Sequence, residues 1–209
     1  LTSASSASHE VITAGRTALD LFVLPLLVVM VLTMIGVLNM PSFLAYYRRA
    51  GILRRLAVTP VSPMMVLLAQ VIVSLLQSLL GIGLAVVVAA LAFGMNPPVD
   101  LGAALGVLAL IAAAMYAVGM IVAAVAPTPN AAVAIGLIGF LGLGATGGMF
   151  GSRDALPGPV AELGAHLPFG AGMDALAAAW AGRSIEASSI ISLVAATVVG
   201  GMIAAVFFR

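Results

Sequence analysis

Apolar residues fill five long runs along the chain, near 18 to 40, 63 to 94, 101 to 126, 130 to 150 and 187 to 208, with polar positions gathered between them. A run of about 20 apolar residues crosses a bilayer as a helix, so the pattern predicts an all-α polytopic membrane protein with five visible transmembrane helices. The second run is too long for a perpendicular span. At about 1.5 Å per residue it would measure roughly 48 Å, so it must tilt or project beyond the hydrocarbon. Residues 151 to 181 are apolar too, but Pro157, Pro159, Pro168 and Gly170 cut them into pieces too short to cross. They predict two short re-entrant helices that dip into the membrane. Residues 1 to 17 read as a linker, rich in Ser and Ala, and 18 to 209 as one transmembrane domain.

Composition supports this and removes several chemistries. Of the 209 residues 63% are hydrophobic and 7% charged, against about 25% charged in a soluble domain. There is no Lys and no Cys. The first excludes a Walker A lysine or a Schiff base, the second a disulfide, a thiol nucleophile or a thiolate metal site. His9 and His166 are far apart and no H-E-x-x-H pattern occurs, so neither a metal nor another cofactor is expected in this chain. Membrane lipid is an expected partner and nucleic acid is not. The chain opens at Leu1, and "LTSASSASHE" lacks the basic region and apolar core of a signal peptide. An upstream portion is therefore expected.

Charge sets the orientation. Arg48, Arg49, Arg54 and Arg55 are half of the eight basic residues and lie within "AYYRRAGILRRLAVTP". Short basic loops stay cytoplasmic, so 41 to 61 is assigned inside and the rest follows by alternation, with 95 to 100 outside, "APTPN" inside and 151 to 186 outside. All seven acids, Glu10, Asp20, Asp100, Asp154, Glu162, Asp174 and Glu186, then fall on the outer side. Asp154, Glu162 and His166 read as ordinary solvated residues rather than a catalytic or metal cluster.

Three local patterns invite function. Ile52, Leu53 and Leu56 share a turn with Arg54 and Arg55, which predicts a short mixed-face helix at the inner surface, begun after Pro41 and stopped by "TPVSP". A topology anchor would need no more than the charge. Gln70, Ser74, Gln77 and Ser78 form a polar stripe that must face protein or a wet cavity, as interhelical glue or as the lining of a substrate route. The span over 130 to 150 carries Gly136, Gly139, Gly142, Gly144, Gly147 and Gly148, which suits close helix packing or a hinge.

"YYRRAGILRRLAVTPVSP" followed by a long span resembles the segment after the second span in permeases of the type-2 ABC exporter family, of the daunorubicin-resistance kind. "GGMFGSRDALPGPVAELGAHLPFGAGMDAL" is similar to that family's late outer segment. The resemblance covers about residues 20 to 209. It implies a permease subunit of a bacterial inner-membrane exporter that moves an amphipathic or hydrophobic drug, lipid or metabolite outward. ATP and Mg would be bound by a separate ATPase subunit, and a second permease copy or a homologous permease would complete the channel. Arg48, Arg49, Gly51, Ile52, Leu53, Arg54, Arg55 and Leu56 would form the coupling helix, and Pro157, Pro168 and Phe169 the outer gate. Six spans are usual in that family, so a sixth is expected upstream of the five. The family's Glu before the glycine is absent, Arg49 and Ala50 standing ahead of Gly51. The rivals are an ion-coupled secondary transporter, an intramembrane enzyme and a non-transporting scaffold subunit. The first is disfavoured by the absence of acids and bases from the interiors of the spans, the second by the lack of Cys, of paired intramembrane acids and of a Ser and His together in spans.

Overall fold

The computed structural model describes residues 17 to 51 and 63 to 207, and no strand occurs among them. The elements are α1 (Leu19–Arg49), α2 (Pro63–Phe93), α3 (Leu101–Val125), α4 (Pro129–Gly147), α5 (Gly158–His166), α6 (Pro168–Ala181) and α7 (Ala187–Phe207). α1, α2, α3, α4 and α7 are long and apolar enough to cross a membrane.

The first span does not stop at Pro41. A proline inside a helix lacks the amide hydrogen and its ring presses on the carbonyl four residues back. Here each proline follows a widened π turn: Leu19–Val23 precedes Pro25 and Met34–Asn39 precedes Pro41. The Leu24 amide donates to the Leu19 carbonyl and the Met40 amide to that of Ile35, both five residues back. The extra residue per turn relieves the ring, so the helix runs on to Arg49. It ends where Gly51 takes the left-handed conformation, φ 67°, which L side chains disfavour. The expected inner helix from Pro41 is thus, over its first nine residues, the end of the span itself.

α3 is the most enclosed span and α2 the least. α1, α6 and α7 pack around α3, and α2 leans chiefly on α1. Small residues set the closest crossing. A Cβ on Gly119 of α3 would fall on the carbonyl oxygen of Gly36 in α1, so the two backbones touch with no side chain between them. α4 meets α1 in the same way, Gly136 lying against the Val37 carbonyl. The glycines of α4 are therefore split in use: Gly136 and Gly147 are contact points, Gly142 faces open space, and Gly148, φ 97°, ends the helix.

The segment over 151 to 181 is not a surface hairpin. α6 lies among the spans, with Phe169 and Leu176 wholly buried beside Leu24, Leu32, Ile111 and Met115. Its 14 residues reach about 21 Å, short of the roughly 30 Å of hydrocarbon. α5 is its exposed companion, with only Gly164 buried.

Hydrogen bonds place Asp20, Asn96 and Trp180 at one end of the bundle, and Arg48 with Ala123 and Ala126 at the other. Alternating spans require this grouping. With no native Cys, Ala155→Cys at the Asp20 end should react with an impermeant thiol reagent in intact cells. Asn130→Cys at the Arg48 end should react only after permeabilisation. The reverse labelling would invert the orientation drawn from the arginines.

Candidate functional site

At the Arg48 end, α1 carries its arginines to the rim of the bundle. The Arg48 guanidinium turns back onto its own chain, donating to the carbonyl oxygens of Ala123, at 3.2 Å, and Ala126. These close α3, where unpaired carbonyls and the helix dipole favour a cation. Arg49 is exposed, as is Tyr46, whose ring meets Tyr47 edge-on. Of the predicted coupling residues, Arg48, Arg49 and Gly51 are described; Ile52, Leu53, Arg54, Arg55 and Leu56 lie outside the described residues.

The polar stripe of α2 divides. Gln70, Ser74 and Ser78 are buried, whereas Gln77 is exposed among apolar side chains such as Leu76 and Leu80. The buried positions continue in steps of four through Ile82, and each step turns the line by about 40° around the axis. By the second step the contact line has reached Ser78 and left Gln77 on the open side. The Ser78 hydroxyl bonds the Tyr116 hydroxyl of α3 at 2.7 Å. Ser74 Oγ is buried and has no partner among the described residues, an arrangement that proteins rarely keep without use. None of the four lines the apolar hollow of about 550 Å³ between α1 and α2, or that of about 410 Å³ between α1 and α4, where Asn39 and Ser42 supply polar groups.

At the opposite end, sequence reasoning missed a hub. Asp20, counted there only as one more outer acid, has no exposed surface. Its carboxylate accepts from Thr17 N at 3.1 Å, Thr17 Oγ1 at 3.2 Å, and Asn96 N and Nδ2 at 3.0 Å each. Trp180 Nε1 donates to the Asn96 carbonyl, and the Val99 amide to that of Trp180. The start of α1, the loop before α3 and the end of α6 are thereby clasped together. An acid just inside an apolar run was the available signal.

Of the expected gate residues, Pro168 and Phe169 are buried in the bundle and Pro157 is exposed before α5. Arg153 pairs with Asp174 of α6, while its Nη1 is buried without an acceptor among the described residues. Asp154, Glu162 and His166 are exposed; Asp154 bonds Ser152, and His166 Nδ1 lies 3.0 Å from the Glu162 carbonyl.

The family model described as ABC-2 type transporter matches residues 6 to 180. The chain belongs to that family. It is a multi-pass membrane permease component of an ABC transporter, of a kind that generally works with an ATPase subunit. No curated protein and no solved structure matches the chain. In this ABC-2 permease the matched region holds α1 to α6 almost entire, so the arginine end, the polar line on α2 and the Asp20 clasp all fall within it.

Proposed function

We propose that this permease exports an amphipathic or hydrophobic substrate, driven by ATP hydrolysed on a separate subunit that docks at the Arg48 end. The observation that carries the reading is the unbroken course of α1. Its 31 residues span roughly 46 Å and join the arginine segment at one end to the Asp20 clasp at the other. A partner that moves the segment after Gly51 would move α1 as a rod, and through the Arg48 bonds it would draw α3 along. These 209 residues contain no Lys, so they hold no Walker A site, and in this reading a separate subunit supplies it.

In this reading Arg48 ties the segment to the bundle. Arg49, Arg54 and Arg55 face acids of the ATPase, and Ile52, Leu53 and Leu56 fill an apolar groove on it. Gln70, Ser74, Gln77 and Ser78 belong to the substrate route, with a second permease supplying its other wall. The buried carboxylate of Asp20 gives the ion-coupled rival little support. Three donors meet its Oδ2 and one its Oδ1, so the carboxylate is already engaged as a clasp between Thr17 and Asn96.

The test is the Arg54→Ala and Arg55→Ala double variant, with Arg48 and Arg49 kept for topology, beside Leu53→Asp. Both should insert normally yet lose ATPase copurification or substrate-stimulated hydrolysis in proteoliposomes. Leu53→Asp should be the more severe, because it buries an unpaired charge in the contact. Wild-type behaviour of both would reduce the segment to a topology anchor and leave a scaffold subunit as the better reading.

A further inference from the structure

A cavity of about 500 Å³ opens at the Asp20 end between α6 and the start of α7, apart from the polar line and both apolar hollows. Arg153, Asp174, Arg183, Ser184, Glu186 and Ser189 line it. Two cations and two anions balance, but their commitments differ. Arg153 and Asp174 are paired with each other. Arg183 and Glu186 face the same space and form no ion pair among the described residues; the Glu186 carboxylate accepts only a hydroxyl bond from Ser188, at 3.2 Å. Ser189 is 4% exposed, lines the cavity, and its hydroxyl has no partner among the described residues. It sits in the first turn of α7, where the Ser189 and Ile190 amides donate to the Glu186 carbonyl at 3.2 and 3.4 Å and the 21-residue helix sets the positive end of its dipole.

We propose that this cavity binds a phosphate-ammonium zwitterion. The anionic oxygens are held by Arg183 and the Ser189 hydroxyl, beside the positive end of the α7 dipole, and the ammonium by Glu186. A simple anion would satisfy Arg183 while meeting the uncompensated Glu186 carboxylate, and a simple cation would face the reverse conflict. A molecule carrying both charges side by side meets neither. Two sources have this chemistry, the headgroup of a phosphatidylethanolamine and a free phosphoethanolamine-type solute. The inference does not depend on coupling or on export.

Ligand-observed NMR titrations of the purified protein, in a non-ionic maltoside detergent, provide the test. The probes are phosphoethanolamine, dihexanoyl phosphatidylethanolamine, inorganic phosphate and ethanolamine. The zwitterions should bind at least about tenfold more tightly than phosphate or ethanolamine alone. Arg183→Gln and Glu186→Gln should each weaken them by about tenfold, the scale of a lost hydrogen bond to a charged group. Both side chains belong to exposed residues, so the fold should stand, which unchanged emission of Trp180, the only tryptophan, would verify. Tighter binding of the dihexanoyl lipid than of phosphoethanolamine assigns the site to lipid, and equal binding assigns it to the free solute. The proposal is overturned if no probe binds, if phosphate alone binds as well as the zwitterions, or if neither variant alters binding.

Discussion

Asp20→Ala should lower the stability of the purified permease by about 3 kcal/mol, the cost of taking a charged acceptor from four half-buried hydrogen bonds. The carboxylate takes all four of its hydrogen bonds from Thr17 and Asn96, and Ala in its place offers these donors no acceptor. For a chain of this size the loss corresponds to roughly 6 to 12 °C in the unfolding midpoint. Asp20→Asn should fall between, since one oxygen still accepts while the new amide meets the Asn96 donors. A second readout is specific to the clasp. Trp180 holds Asn96 through its indole N–H, so loosening the loop should expose the ring and shift its emission to the red. Wild-type midpoint and emission in Asp20→Ala would show that the clasp does not hold the end together.

Gly119→Ala should be nearly as damaging, although it adds a single methyl group. That carbon has no room, because the Gly36 carbonyl oxygen and the Pro41 ring already occupy the space beside it. Neither obstacle is a flexible side-chain end, so α1 and α3 must separate, at about 3 kcal/mol, the upper part of the usual range for overpacking. The separation should also weaken the Arg48 bonds to Ala123 and Ala126, which depend on the same two helices. Gly106→Ala is the matched control. It lies on the same helix with nothing within 4 Å of an added Cβ, and should change stability by less than about 0.5 kcal/mol. The measurement is thermal unfolding in detergent; equal behaviour of the two variants would mean that the crossing is not close-packed.

The five spans were legible because hydrocarbon imposes one rule along the whole chain, that each crossing be a long apolar helix. The breaks at Pro157 and Pro168 were legible for the same local reason: a proline ring cannot continue an ordinary helix. Pro41 defeated that rule. The π turn that lets α1 pass it depends on the packing of the surrounding residues and leaves no plain signal in "GVLNMPSF". The polar stripe was read correctly as a helical face at Gln70, Ser74 and Ser78. Gln77 lies off that buried face, because the line of burial follows the crossing of α2 over α1, and a crossing angle belongs to two helices at once.

The sequence by itself determined the class, the membrane as solvent, the five spans and the gathering of four arginines after the first of them. Each depends on residue type and on distance along the chain. Only the tertiary structure decided which polar groups meet. It made the exposed Arg48 the cap of α3, and Asp20, a boundary acid in the sequence, a buried clasp. It also drew Arg183, Glu186 and Ser189 around one cavity together with Arg153 and Asp174. Such encounters join residues far apart in the chain, and hydrogen bonds and charges act over a few ångströms in space, whatever their separation in sequence.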